Sequence, residues 1–259
     1  MFQQTLFEPE SNWTPLDALP DFSQVRAAAI DLETKDPGLE EHGPGWPMRN
    51  GHIAGVAINL IAEGDESAFY LPIAHEGGGN LSKKWVLNYV KELCETSRIE
   101  KLFHNAGYDM GWLSTEGIKV TGPIFDTQIG AALLDENRKR YGLDVLDRAW
   151  CGHGKDETAL KDAAAAYGVT GKNVKHVGLY AEGDVLSTTR LWRYEKEKLK
   201  EEGLWGVFQL EVGLIPMILE MRQRGIRVDE ARAEQVRVEL VDMMKENEAE
   251  MYRRYDVKV

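Results

Sequence analysis

Short runs of apolar residues alternate with turn residues in the first third of the chain, and they predict three β-strands. The runs cover residues 27–33, 53–60 and 69–73. A tight turn over residues 64–67 joins the last two runs, and a Gly/Pro-rich segment over residues 37–47 separates the first two. The pattern therefore predicts that the chain begins a β-sheet with three antiparallel strands.

Further along the chain, helical periodicity alternates with short apolar segments. Ser82 is a candidate N-cap for a helix over residues 83–96. The next segments predict strands over residues 101–104 and 118–120, a helix over residues 106–115, and a helix that follows Phe125-Asp126-Thr127 and ends near residue 135. Residues 141–200 are predicted to be mostly helical, with breaks at residues 151–154 and 168–171. This order favours an α/β fold in which helices flank a mixed β-sheet.

The last part of the chain has a different pattern. Residues 205–225 predict an apolar helix that ends at Gly225, and Asp229 is a candidate N-cap for a final amphipathic helix. The apolar stripe of that final helix consists of Val236, Leu240, Met243, Met244 and Met251. We therefore predict an N-terminal arm over residues 1–24, a main domain over residues 25–204 and a helical appendage over residues 205–259.

Composition narrows the possible functions. The formal net charge is −12, which argues against a protein that coats duplex DNA through a basic face. No apolar run approaches the roughly 20 residues that span a bilayer, and the N-terminus lacks the pattern of a signal peptide. The two cysteines, Cys94 and Cys151, are far apart and do not form a disulfide scaffold. We expect an intracellular protein with no membrane partner.

The most informative chemistry lies at the end of the first predicted strand. Asp31 and Glu33 are two residues apart, so they share one face of the strand at about 6–7 Å. At that distance two carboxylates repel by roughly 3 kcal/mol at an effective dielectric near 20. Asp109 begins a later helix and Asp184 lies on another. If the four converge, bound divalent cations are the favoured way to neutralise them.

Each acidic motif is weak alone, but their order along the chain is specific. Asp31-Leu32-Glu33 is followed by Asn105 and Asp109, four residues apart, and then by Tyr180 and Asp184, also four apart. In this order the sequence resembles the DEDDy exonucleases, and within them the 3'-5' proofreading domain of family A (Pol I-like) DNA polymerases. The resemblance covers residues 22–200 and includes Phe125-Asp126-Thr127 and the segment from Tyr141 to Trp150. Residues 211–229 resemble the entry into the polymerase domain of that family.

The resemblance implies a ribonuclease H-like fold and a two-metal site for Mg²⁺ or Mn²⁺. The implied metal ligands are Asp31, Glu33, Asp109 and Asp184. Tyr180 is implied to position the attacking water, while Glu182 is expected to be a solvated helix residue and His104 a strand-end packing or hydrogen-bonding residue. The implied substrate-binding residues are Leu32, Thr34, Asn105 and Tyr108.

The implied activity is 3'-5' hydrolysis of single-stranded or frayed DNA ends to nucleoside monophosphates. The implied partners are a DNA 3' end and a polymerase domain, either in cis or in trans. Two alternatives remain open from the sequence. One is an RNA-trimming exonuclease of the ribonuclease D type, and the other is a catalytically inactive strand-binding or scaffolding domain of a polymerase.

Overall fold

A five-stranded mixed sheet forms the centre of the protein. The computed structural model describes residues 13–154 and 174–257. Its strands are β1 (Ala27–Lys35), β2 (His52–Ile61), β3 (Glu66–Pro72), β4 (Glu100–Phe103) and β5 (Ile124–Asp126), in the order β3-β2-β1-β4-β5. β2 pairs antiparallel with both β1 and β3, whereas β4 pairs parallel with β1 and β5. The predicted antiparallel start is confirmed.

Helices cover the sheet and connect its strands. They are α1 (Leu39–His42), α2 (Lys83–Glu95), α3 (Ala106–Thr115), α4 (Thr127–Leu134), α5 (Leu143–Leu146), α6 (Val174–Glu201), α7 (Trp205–Arg224) and α8 (Glu230–Tyr255). A 3-10 turn at Trp46–Met48 follows α1, and a π-helical turn at Asp147–Cys151 follows α5. The long helix α6 contacts β1, β2 and β3 as well as α4, which places its inner face over the middle of the sheet.

One predicted strand is wrong. Residues 118–120 form no strand, and the strand that pairs with β4 is Ile124–Asp126. Ile118 is buried in the core, but its backbone N–H donates to the carbonyl of Leu113 at the end of α3. The apolar segment therefore contributes to packing and not to the sheet, and Gly122 (φ 82°) turns the chain towards β5.

The predicted helix boundaries were right in part. Asp229 caps α8 by accepting a hydrogen bond from the Arg232 N–H at 3.0 Å. Ser82 precedes α2 as predicted, but its side chain makes no capping hydrogen bond. Residues 152–154 interrupt the helical segment as predicted, whereas the predicted break at 168–171 lies outside the described residues.

The main core lies between the sheet and its helices and extends to α7. Phe208, Val212 and Ile215 of α7 belong to the same buried cluster as the strands, and the Phe208 ring lies 4.4 Å from the ring of Phe125 in β5. The compact unit that contains the sheet accordingly runs to Gln223, beyond the predicted boundary at residue 204. Division into an arm, a main domain and an appendage stays a prediction.

Residues from Arg224 onward form a second unit that contains α8. This helix buries none of its residues. Within the described ranges, none of the helices combines the length and the apolar character that crossing a membrane requires.

Candidate active site

Three carboxylates from two elements meet beside the sheet. Asp31 and Glu33 lie on β1, opposite Ala57 and Gly55 of β2, and the pairing register shifts directly after Glu33. Asp184 comes from α6, and one carboxylate oxygen of each of the three residues lies within 4.8 Å of the others. Asp184 is buried, whereas Asp31 and Glu33 are half-buried. Carboxylates this close together are stable only if bound cations offset their charge or protons remove part of it.

The fourth predicted ligand lines the same pocket but is held differently. Asp109 is 3% exposed in the first turn of α3, and its Oδ1 accepts a hydrogen bond from the Leu32 backbone N–H at 3.0 Å. Burial, and then the charge of Asp31, raise the pKa of the Asp109 carboxyl well above its usual value. The Leu32 hydrogen bond orients this carboxylate towards the end of β1.

A cavity of about 290 Å³ collects the predicted site residues. All nine of them line its wall, from β1, α3 and α6. Two further lining residues were not among the predicted ones. The complete lining consists of Asp31, Leu32, Glu33, Thr34, Leu39, His104, Asn105, Tyr108, Asp109, Tyr180 and Asp184.

The strand–helix junction at Asn105 shapes one wall of the cavity. Asn105 has φ 70°, a left-handed conformation that asparagine tolerates better than most residues. Its N–H and that of Ala106 donate to the Asp126 carboxylate at 3.1 and 2.7 Å. Asp126 also caps α4 through the N–H groups of Gln128 and Ile129. This buried carboxylate therefore fixes the turn that presents Asn105 to the cavity.

Tyr108 connects α3 to the strand that carries the acidic pair. Its hydroxyl lies 2.6 Å from Thr34 Oγ1 and donates to Asp36 Oδ2 at 3.3 Å. Burial raises the pKa of Tyr108 above its usual value, so the phenol stays protonated at neutral pH. These contacts fix Thr34 and Tyr108 next to Glu33 on the cavity wall.

The sequence-based reasoning missed Leu39 and His104 as lining residues. Leu39 is 42% exposed at the start of α1 and borders the cavity from the Gly/Pro-rich segment. His104 follows β4 directly and its Nδ1 lies 2.8 Å from Thr127 Oγ1, so the predicted hydrogen-bonding role is present alongside a cavity position. Its place at the carboxyl end of a strand beside β1 was the available signal.

Glu182 was predicted to be solvated, and this prediction is wrong. It is half-buried and its Oε1 accepts a hydrogen bond from Trp13 Nε1 at 2.7 Å. Burial raises the pKa of the Glu182 carboxyl above its usual value. Trp13 could not be identified as its partner from the sequence because 169 positions separate the two residues.

The fold and the acidic cavity together define a class. A mixed sheet of this order, flanked by helices and bordered by carboxylates from β1, α3 and α6, is a ribonuclease H-like nuclease fold. The family model of the 3'-5' exonuclease domain of DNA polymerase A matches residues 51–200, and this chain belongs to that family. The match includes Asp109, Tyr180 and Asp184, while Asp31 and Glu33 precede it and are brought to the site by β1.

Comparisons with individual proteins agree with the family. The chain is 35% identical over 230 residues to a DNA-directed DNA polymerase of Pseudomonas phage M6, which covers 85% of this chain and 34% of that protein. The chain thus spans about a third of that relative's length.

Two solved structures share the fold. The POL domain of Pol1 from M. smegmatis, in complex with a DNA primer-template and dNTP, is 15% identical with a TM-score of 0.66 over 92% of this chain and 35% of that chain. Brucella melitensis NrnC with bound Mg²⁺ is 25% identical with a TM-score of 0.58 over 82% of this chain and 92% of that chain.

The donor set fits a hard divalent cation. Every candidate ligand is a carboxylate oxygen, and Mg²⁺ and Mn²⁺ prefer oxygen ligands. The group of Asp31, Glu33 and Asp184 brings three such oxygens together, and Asp109 adds a fourth carboxylate to the same cavity.

Proposed function

We propose that this chain is a metal-dependent 3'-5' exodeoxyribonuclease of the DEDDy type, acting on single-stranded or frayed DNA 3' ends. One observation carries the proposal: Asp31, Glu33 and Asp184 gather within 4.8 Å of one another, in a cavity that also contains Asp109 and Tyr180. Membership of the 3'-5' exonuclease family supports the reaction class.

The four carboxylates would hold two divalent cations, Mg²⁺ or Mn²⁺. Asp31, Glu33 and Asp184 would hold the ion on the side of the nucleophile, and Asp31 and Asp109 would hold the second. Such ions would supply charge stabilisation for the attacking and leaving oxygens of an in-line displacement. The chain's own contribution is to bring these carboxylates together. Without metal, they must take up protons or move apart.

Tyr180 and Glu33 are the groups that we assign to the attacking water. Tyr180 lies one helical turn before Asp184, so both side chains point from the same face of α6 into the cavity. The Tyr180 hydroxyl orients the water by hydrogen bonding, and the Glu33 carboxylate accepts its proton. The resulting hydroxide attacks the phosphorus atom as the bond from phosphorus to the 3'-oxygen of the penultimate nucleotide breaks. That oxygen takes a proton from solvent, so the products are a nucleoside monophosphate and a strand with a new 3'-hydroxyl.

The remaining lining residues suit the last nucleotides of a strand. Leu32, Thr34, Asn105 and Tyr108 offer backbone, hydroxyl and amide groups near the scissile position. Leu39, half-exposed at the rim, offers an apolar contact for an unpaired base. Mispaired ends separate more easily than paired ones, so a site that takes single strands removes them faster without base-specific contacts.

The identity of the relatives supports DNA as the substrate and a polymerase as the partner. The phage M6 relative is named as a DNA-directed DNA polymerase and is about three times as long as the aligned region. We therefore propose that the nuclease edits the product of a polymerase domain, in cis or in trans, inside the cell.

A time course on a 5'-labelled single strand tests the proposal. We expect a ladder that shortens from the 3' end of DNA in Mg²⁺ or Mn²⁺, no shortening in chelator, and none with Asp31→Ala. Glu63→Ala, which removes an exposed carboxylate next to the β2–β3 turn, is the matched control and should retain full activity.

The same assay separates the alternatives. A matched RNA strand degraded faster than DNA would favour the ribonuclease D type. Binding of the strand without metal-dependent release of nucleotide would favour an inactive strand-binding domain. Full activity of Asp31→Ala would contradict the proposed site altogether.

A further inference from the structure

A tryptophan outside the family match is buried against the helix that carries Tyr180 and Asp184. Trp13 is 7% exposed, although the sequence predicted an extended arm for residues 1–24. Its indole lies over Gly178 of α6, where a Cβ atom would overlap the ring. The helix therefore has a glycine at the position where the indole needs the space.

Trp13 also joins this helix to the edge of the sheet. Its Nε1 donates to Glu182 Oε1 at 2.7 Å, and Glu182 lies between Tyr180 and Asp184 in the sequence. Tyr70 lies on β3, the strand at the edge of the sheet. The rings of Trp13 and Tyr70 lie 6.0 Å apart at 58°. Trp13, Glu182 and Tyr70 thus form one contact cluster.

Tyr70 extends this cluster to the acidic pair on β1. A Cβ atom at Gly55 would overlap the Tyr70 hydroxyl, and Gly55 is the cross-strand neighbour of Glu33. Tyr70 Oη lies 2.6 Å from Nε2 of the buried His75. The phenol therefore fills the space over Gly55, on the face of the sheet that also carries the Glu33 side chain, and its contact with His75 fixes it there.

We propose that Trp13 is a positioning residue of the exonuclease site. It holds Asp184 on α6 at a fixed distance from Asp31 and Glu33 on β1, through Glu182 on one side and Tyr70 on the other. Like charges converging in one cavity push these two elements apart, so a contact that resists their separation favours the cation-bound arrangement. The chemical role of the carboxylates rests on the proposed function. The contacts of Trp13 with Gly178, Glu182 and Tyr70, which we call the clamp, are a property of the packing.

Titration of the full chain with Mn²⁺ by calorimetry tests the clamp without requiring catalysis. We expect Trp13→Ala to raise the dissociation constant about 10-fold, the lower end of the effect of removing groups that support metal ligands. Trp13→Phe keeps an aromatic ring but loses the N–H donor, so it should fall between wild type and Trp13→Ala. Glu182→Gln retains an acceptor oxygen for the Trp13 N–H and should remain within about 2-fold of wild type.

Two glycines of α6 supply a matched pair. Gly178→Ala and Gly183→Ala make the same change in the same helix, with the same gain in helix propensity of up to about 1 kcal/mol. At Gly178 the new methyl group displaces the indole, whereas at Gly183 no atom of the described residues lies within 4 Å of it. We expect Gly178→Ala to weaken Mn²⁺ binding as Trp13→Ala does, and Gly183→Ala to bind as wild type.

Cleavage kinetics supply a second readout. Loss of the clamp should lower kcat and raise the Mn²⁺ concentration for half-maximal activity, and leave the KM for the DNA strand within about 2-fold. Wild-type values of the Mn²⁺ dissociation constant and of kcat in Trp13→Ala and Gly178→Ala would overturn the clamp. If Trp13→Ala fails to fold, the Mn²⁺ dissociation constants and kcat values of Trp13→Phe and Gly178→Ala test the clamp instead. A wild-type chain that binds Mn²⁺ but does not cleave would overturn the proposed function and leave the binding comparison valid.

Discussion

Individual carboxylates in this chain are buried for different purposes, and their neighbours distinguish them. Asp126 accepts hydrogen bonds from four backbone N–H groups and fixes a chain turn. Asp147 is fully buried and accepts two hydrogen bonds from Arg190, which attaches the π-helical turn to α6. The group of Asp31, Glu33 and Asp184 instead borders a cavity open to a ligand. Burial alone therefore does not mark a catalytic acid, whereas convergence on a cavity does.

The role proposed for Tyr180 gives a prediction for one atom. Tyr180→Phe removes the hydroxyl that orients the attacking water and keeps the ring, so we expect the cleavage rate to fall by about 10²- to 10³-fold. Single-turnover rates on a labelled strand measure the effect, and the affinity for the strand should be unchanged. An unchanged rate would remove Tyr180 from the mechanism.

Glu195 is a buried acid with a different position. It is fully buried on α6, and neither Oε atom has a hydrogen-bond partner among the described residues. Burial, and then the charge of Asp126, raise the pKa of this carboxyl well above its usual value. The folded state therefore holds this proton more tightly than the unfolded chain, in which the pKa of Glu is about 4.3. The folded state loses stability as the pH rises from that value through the folded pKa.

Glu195→Gln should remove this pH dependence. The melting temperature of the variant relative to wild type is expected to rise from pH 5 to pH 8, because each pKa unit of the native shift costs about 1.4 kcal/mol once the proton is lost. Thermal melts across that range measure it. Glu197→Gln, at an exposed position of the same helix, is the control. Its melting temperature relative to wild type should not change with pH. If the melting temperature of Glu195→Gln relative to wild type did not change with pH, this would contradict a protonated Glu195 in the folded state.

The sequence could predict which residues meet, because the proposed chemistry restricts them to a few residue types in a fixed order, while their roles stay predictions. All nine predicted residues line one cavity. Leu39 and the Trp13–Glu182 contact were missed because neither has a local pattern. Leu39 borders the cavity only through the path of a loop, and Trp13 meets Glu182 only after the sheet has formed.

Among the elements, the segment between β1 and β2 is held in place by packing and by a hydrogen bond. Trp46 is 2% exposed and its indole occupies the space beside Gly111 of α3, where a Cβ atom would overlap the ring. Asp36 accepts a hydrogen bond from the Gly45 N–H at 3.0 Å and closes the base of the loop. The rim residue Leu39 lies between these two anchors.

Two alanine substitutions in α3 test this anchor. Gly111→Ala forces Trp46 to move, and we expect a loss of about 1–3 kcal/mol in the free energy of unfolding from overpacking. Gly107→Ala, where no described atom lies within 4 Å of the new methyl group, should gain up to about 1 kcal/mol. Chemical denaturation measures both. Equal effects of the two substitutions would show that the indole does not depend on Gly111.

The prediction of strands was wrong where an apolar segment is buried without pairing with a neighbouring strand. Ile118 and Val120 have the apolar pattern of a strand, and Ile118 is buried, yet the strand next to β4 begins at Ile124. A local pattern records that a side chain is buried but not which backbone it pairs with. The pairing of β2 with β3 was predictable because a short turn joins them, whereas β1, which a long segment separates from β2, was predictable from its own apolar run.

For the whole molecule, the second unit exposes an apolar surface. The exposed apolar side chains of α8 are Val238, Leu240, Met243, Met244, Met251, Tyr252 and Tyr255. Leu240, Met243, Met244 and Met251 recur at helical spacing and share one side of α8, and an exposed apolar stripe of this kind promotes association in water. The net charge of −12 opposes association through repulsion that salt screens.

We predict that the full chain self-associates through this surface as salt increases. Size-exclusion chromatography with light scattering should show a mass that rises with protein concentration at 0.5 M salt, and a monomer after residues 230–259 are removed. Cleavage activity should persist in the shortened chain, because the site lies within the first unit. Monomers at every concentration in both chains would contradict the prediction.

Asp31, Glu33 and Asp184 are proposed to form a cation site, and the mechanism depends on it. Anomalous diffraction from a crystal soaked in Mn²⁺ tests it most directly, because the signal locates the ion without reference to activity. We expect an anomalous peak within coordination distance of all three carboxylates, which disappears in Asp31→Ala. Mn²⁺ peaks located only elsewhere on the protein would contradict it.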